Sequence, residues 1–195
     1  NGERTGNEAV DAWAARGEML DTPNGRVFHM AVDAHPDAAP DATPVLICHG
    51  FPSASFDFRH VLDELTADRR AILFDCLGFG LSDKPDRRYG IRLHADVAER
   101  VAAARHIERC LLLTHDMGDT VGGELLARDL DCNLPFDVIG RVITNGSIYL
   151  DLAQLTLGQQ VLSGMADERI DPATGFGNDE GASFGAGLAG TFSPA

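Results

Sequence analysis

Residues 111–119, Leu-Leu-Leu-Thr-His-Asp-Met-Gly-Asp, place a carboxylate where an apolar run gives way to a helical pattern. A strand, a tight turn and a helix in that order are the layout of a nucleophile elbow, with Asp116 at its tip. A serine at the tip needs a histidine to take its proton, whereas an aspartate is already ionised at neutral pH. The N-terminus of the following helix favours the charge further. Such a carboxylate suits displacement at a saturated carbon, in a strained epoxide or a carbon–halogen bond. The product is an alkyl ester of Asp116. Water must then attack the ester carbonyl with the help of a general base, normally His. The oxyanion of that step forms on an oxygen of Asp116 itself, so backbone N–H groups must meet it.

A second apolar run, Val45 to Cys48, ends in His49-Gly50-Phe51-Pro52. The loop after such a strand supplies one oxyanion N–H and the residue after the nucleophile the other. Here these are Phe51 and Met117. Gly50 permits a close backbone approach, and Pro52 fixes the turn that aims Phe51. His49 is expected beside the substrate, orienting this loop through a hydrogen bond. His115 follows its strand into the elbow and points away from Asp116, in a structural role. Asp83 and Lys84 read as a loop ion pair or turn, Asp75 as a loop-bracing carboxylate, and Asn145-Gly146 as a turn.

Three motifs in this order, His49-Gly50-Phe51-Pro52, Gly78-Phe79-Gly80-Leu81-Ser82-Asp83-Lys84-Pro85 and His115-Asp116-Met117-Gly118-Asp119, resemble the α/β-hydrolases with an aspartate nucleophile. That group includes epoxide hydrolases and haloalkane dehalogenases. The second and third motifs, with Glu124-Leu125-Leu126-Ala127-Arg128, are similar to the mesoderm-specific transcript subgroup. The resemblance covers roughly residues 10 to 165 and implies an α/β-hydrolase fold with a helical cap. Dehalogenases of this group place Trp after the nucleophile and a polar donor after His-Gly. This chain has Met117 and Phe51, and its single tryptophan, Trp13, lies far upstream. Epoxide hydrolases use two cap tyrosines to protonate the epoxide oxygen. Tyr149 stands where a cap would begin and is the candidate substrate contact; Tyr89, in the loop after Pro85, is not. The resulting expectation is a hydrolase that forms an aspartyl ester on small apolar substrates, epoxides first. The alternatives are a haloalkane dehalogenase and a non-catalytic binding protein of the same fold. Carboxylate, water and histidine suffice, so no cofactor and no metal are expected.

Positioning these residues requires a sheet. Apolar runs predict strands at 44–48, 70–75, 109–115 and 138–144, and helical patterns fall at about 54–67, 92–106 and 118–130. Strand–helix–strand repeated three times implies a mostly parallel sheet with crossover helices, an α/β architecture. Short continuous apolar strands imply cover on both faces. Asn24-Gly25 predicts a hairpin ahead of an alternating strand at 26–32, after a short amphipathic piece at Val10 to Ala15. Gly122-Gly123, one turn into the last helix, suggest close packing of that helix on the sheet. The core is read as 1–147, and 148–195 as an incomplete helical cap with a Gly-rich tail.

All seven histidines precede Asp116, so the expected base and acid are absent, as are the later sheet strands. The sequence therefore predicts a C-terminally truncated hydrolase, unable to turn over alone. The formal charge of −14 argues against a nucleic-acid partner, leaving a small-molecule substrate. Lys84 is the single lysine. No apolar run reaches transmembrane length. Cys48, Cys76, Cys110 and Cys132 lack metal-ligand spacing and read as reduced thiols, three in or beside core strands, which places the chain in the cytoplasm. The oligomeric state is not encoded in any of these patterns.

Overall fold

The computed structural model describes residues 6–146. They build a six-stranded sheet in the order β1-β2-β4-β3-β5-β6. β1 (Glu18–Thr22) and β2 (Gly25–Val32) form the expected hairpin, with Thr22 opposite Gly25. β2 pairs antiparallel with β4 (Ala71–Phe74). β3 (Val45–Cys48), β5 (Arg109–His115) and β6 (Asp137–Thr144) continue from β4 in parallel. The α/β-hydrolase fold expected from the sequence is thus present as a mostly parallel sheet.

β3 and β4 are apolar and buried along their whole length. Alternate residues divide between two cores, as the two-residue period of a strand demands. Leu46, Cys48, Ile72 and Phe74 pack with Val97 and Val101 of α3 (Ile91–Ala104) and Val121 and Leu125 of α4 (Met117–Leu130). Val45, Ile47 and Leu73 pack with Trp13 of α1 (Glu8–Ala14) and Leu62 of α2 (Leu62–Leu65). Asn7 caps α1, its Oδ1 accepting the Ala9 N–H at 3.0 Å. Arg128 ties α4 to α3, donating to Asp96 at 2.7 Å and Glu99 at 2.6 Å while also reaching Glu124 on its own helix.

Four readings are corrected. The helix expected at 54–67 is a 3₁₀ segment, Ser55–His60, followed by the single turn of α2. Phe56 and Phe58 both pack on the second core, and a two-residue spacing cannot hold one face of an α-helix. The strand at 26–32 does not alternate, because Val27 through Met30 are all buried between β1 and β4. β6 is not a buried run: among the described residues it pairs only with β5, and Val142 and Ile143 are 55% and 56% exposed. Close packing accounts for Gly122, whose added Cβ would lie 2.8 Å from the Thr114 methyl, but not for Gly123, which faces open space.

Cys48, Cys76 and Cys110 are buried free thiols and Cys132 is exposed. Among the described residues no group of side chains could hold a metal ion, and no helix is long and apolar enough to cross a membrane. The expected cap at 148–195, with Tyr149, lies outside the described residues.

Candidate active site

The ends of three adjacent strands meet at one edge of the sheet. Cys48 lies in register with Phe74 on one side and Thr114 on the other. The loops that follow β3, β4 and β5 therefore leave side by side, and the chain reverses direction across the sheet at β3. Open α/β sheets bind ligands at such a switch point.

Asp116 occupies the turn between β5 and α4 with φ 50° and ψ −118°. A non-glycine residue in that region stores strain of order 1–3 kcal/mol. Neighbouring bonds hold it there: its N–H donates to Thr144 O at 3.1 Å, and its carbonyl accepts the Asp119 N–H at 2.9 Å. Gly118 lets α4 begin against β3, since a Cβ there would lie 2.3 Å from Cys48 O. Gly50 leaves room for Asp116, whose Cβ would be 2.7 Å from a Gly50 Cβ.

The Asp116 carboxylate meets two backbone donors. Its Oδ1 accepts the Phe51 N–H at 2.8 Å and the Met117 N–H at 2.5 Å. These are the two N–H groups that the sequence assigns to an oxyanion. The structure thus brings Asp116, Phe51 and Met117 together. The Phe51–Pro52 bond is cis, and Phe51 is 44% exposed, its ring meeting Phe79 edge-on at 5.9 Å.

His49 is buried, and backbone groups engage both its ring nitrogens. Nε2 accepts the Cys76 N–H at 2.9 Å, so Nδ1–H is the donor to Gly50 O at 2.8 Å. Burial pushes its pKa down, which favours this neutral form. The bracing role expected for His49 has its geometry here; a polar contact to substrate has no ring atom left to make it. Asp75 braces the neighbouring loop, its two oxygens accepting the Ser55 and Leu81 N–H groups at 2.8 Å each.

His115 lies along β5 with Nδ1 3.2 Å from the Thr144 hydroxyl, and no hydrogen bond joins any described histidine ring to Asp116. Asp83 pairs with Arg26 of β2 at 3.2 Å and not with its neighbour Lys84, which donates instead to Gly80 O and Ser82 O. The Arg26 backbone N–H and guanidinium hold the Asp83 carboxyl below its ordinary range. Tyr89 donates its hydroxyl to Pro85 O at 2.6 Å and stacks on His94. His94 is buried, and desolvation with neighbouring His49 lowers its pKa to about 4. Trp13 donates to the Ser55 hydroxyl within the second core. Burial pushes the Cys48 thiol up to about 12, so it stays unreactive at neutral pH.

A buried polar group beneath the elbow was not foreseen. Asp119, in the first turn of α4, is fully buried with its Oδ1 accepting the Thr114 hydroxyl. Arg141 of β6 donates to Asp119 O at 2.5 Å and stands 3.5 Å from Asp119 Oδ1. From the sequence Asp119 reads only as a charge suited to the helix dipole. Its partner is set by the pairing of β5 with β6, which local sequence does not reveal.

A family model described as the alpha/beta hydrolase family matches residues 45–194. LipZ of Mycobacterium tuberculosis is 44% identical over 156 residues, covering 79% of this chain and 51% of that protein. The mesoderm-specific transcript homolog protein of Homo sapiens is 36% identical over 164 residues, covering 79% and 47%. The chain therefore spans about half the length of these curated relatives. Shorter matches reach epoxide hydrolase 3 of Xenopus tropicalis, 32% identical over 89 residues (45% and 24%), and a haloalkane dehalogenase of Psychrobacter cryohalolentis, 36% over 94 (47% and 31%). A crystal structure of an alpha/beta hydrolase fold protein from Burkholderia ambifaria shares the fold, with a TM-score of 0.56 at 23% identity over 76% of this chain and 52% of that one.

Proposed function

We propose, on the premise that this chain belongs to the α/β-hydrolase family, that Asp116 is the nucleophile of an ester-forming hydrolase acting on small apolar epoxides. One observation carries the reading: a single oxygen of the elbow carboxylate already sits under the Phe51 and Met117 N–H groups. That arrangement leaves Oδ2 to attack carbon. The C–O bond of the epoxide breaks as the Oδ2–C bond forms, and the ring oxygen leaves as an alkoxide that takes a proton. Oδ1 then becomes the carbonyl oxygen of the ester. When water adds to Cγ, the negative charge returns to Oδ1 between the same two donors. Removing one such donor costs about 3 kcal/mol in typical acyl-transfer sites.

Tyr149 is the proton donor this reading assigns to the departing oxygen. For halide release, by contrast, Met117 and Phe51 offer no side-chain N–H to a leaving anion, which favours epoxides over haloalkanes. The water-activating base has no candidate among the described histidines, since none is bonded to Asp116 and the His49 ring is fully engaged. The 195-residue chain is accordingly expected to form the ester and stop there. Buried free thiols at Cys48, Cys76 and Cys110 fit a reducing, cytoplasmic setting.

Incubation with styrene oxide followed by intact mass spectrometry tests the reading. The expected result is one adduct of the full epoxide mass on Asp116, absent in Asp116→Asn. A protein that stays unmodified, or an adduct that persists in D116N, overturns it and favours a non-catalytic binding role for the fold.

A further inference from the structure

The elbow is strained, and the bonds that hold it come largely from β6. The Thr144 carbonyl accepts the Asp116 N–H at 3.1 Å. The Thr144 hydroxyl donates to Thr114 O at 2.8 Å. Arg141, almost wholly buried, reaches into the first turn of α4. There its Nη2 donates to Asp119 O at 2.5 Å, and its Nε points at the Thr114 hydroxyl at 3.4 Å. That hydroxyl in turn donates to Asp119 Oδ1. Asp119 Oδ2 is buried and finds no partner among the described residues. Two glycines make the space: a Cβ at Gly122 would lie 3.1 Å from Arg141 Nη2, and one at Gly146 would collide with Asp119 Oδ2.

A buried, incompletely satisfied carboxylate is costly, and its value to stability is low against an apolar replacement. What the group does supply is position. Asp119 N–H bonds the Asp116 carbonyl, so whatever fixes Asp119 fixes the backbone of Asp116. Asp119 lies on α4, which leaves the turn, and Arg141 on β6, which pairs with β5, the strand that enters it.

We propose that Arg141 is a positioning residue for the elbow: acting through Asp119 and Thr114, it holds Asp116 in the conformation that places its carboxylate under the Phe51 and Met117 N–H groups. The catalytic meaning of this placement rests on Asp116 being the nucleophile; the placement itself does not. The test therefore uses two readouts. The first is amide hydrogen exchange at Phe51 and Met117, which reports the two bonds whether or not the protein reacts. The second is the rate of styrene oxide adduct formation.

In the double variant Arg141→Met with Asp119→Asn, which removes the charge pair together, exchange at Phe51 and Met117 is expected to quicken at least tenfold. Leu46 and Ile72 in the central strands keep their protection, and adduct formation slows at least tenfold. Arg141→Lys, which retains the charge but not the branched reach, falls between wild type and the double variant. Unchanged exchange at Phe51 and Met117 in a folded double variant overturns the proposal, and so does a loss of protection spread equally over Leu46 and Ile72. Should the double variant not fold, Arg141→Lys decides: faster exchange confined to Phe51 and Met117 supports the clamp, and wild-type exchange there overturns it. A wild-type protein that forms no adduct refutes the nucleophile reading alone, because the exchange comparison still decides the clamp.

Discussion

Gly50 has no side chain because Asp116 fills the place where one would go. An added methyl would meet Asp116 Cβ at 2.7 Å and Oδ1 at 3.2 Å. The glycine sits beyond the last residue of β3, so the collision falls on the site and not on the strand. Gly50→Ala should leave a folded protein whose carboxylate is pushed off the Phe51 N–H. Adduct formation should fall at least tenfold, with the urea midpoint moving by less than about 1 kcal/mol equivalent. An alanine variant that reacts at the wild-type rate would show that the close approach has no chemical role. Gly50, Phe51 and Met117 were legible from sequence because each is tied to a motif by its immediate neighbours. Arg141 was not: its partners, Thr114 and Asp119, lie 27 and 22 residues away and reach it only through strand pairing.

At the scale of elements, α3 and α4 pack side by side around the Arg128 guanidinium, with Arg92 of α3 also 3.9 Å from Glu124. The Arg128 side chain is mostly buried and faces Asp96, Glu99 and Glu124 at once. Burial works against its charge, but the hydrogen bonds to those carboxylates outweigh it and raise its pKa, so the guanidinium stays charged. Arg128→Met leaves three acidic groups facing each other across the helix pair. A loss of about 1–3 kcal/mol is expected, read as a lower urea midpoint, discounted from the buried-pair range because Asp96 is half exposed. The strand–turn–helix of β5 and α4 was legible because a continuous apolar run meets a 3.6-residue pattern at one residue. The true form of the helix expected at 54–67 was not legible, since the 3₁₀ form of Ser55–His60 follows from both Phe56 and Phe58 packing on the second core. β6 misled for another reason: Ile139, Val142 and Ile143 carry an apolar pattern typical of burial, yet among the described residues they are exposed.

At the scale of the molecule, three buried histidines among the described residues contribute to the response to acid. Desolvation lowers the pKa of His29, His49 and His94, the last to about 4. Each is neutral when folded and takes up a proton near its ordinary value of 6.5 once unfolded. Their stabilising effect is therefore complete above pH 6.5 and declines as pH falls below it, that of His94 being lost toward about 4. For His94 alone this amounts to roughly 3 kcal/mol at the limit. Urea midpoints measured between pH 7.5 and 4.5 should drop steadily, and His94→Gln should flatten the lower part of the curve; an identical slope in the variant would exclude His94 as a source. The same central strands carry a consequence for synthesis. The Phe51–Asp116 bond closes a loop of 65 residues, and β3 acquires β4 on one edge well before β5 can cover the other. At ribosomal rates of about 5–20 residues per second, that second edge of Val45–Cys48 stays open for several seconds. During that interval a nascent chain carries an unpaired apolar strand, and a chaperone that holds extended apolar segments has its natural target there.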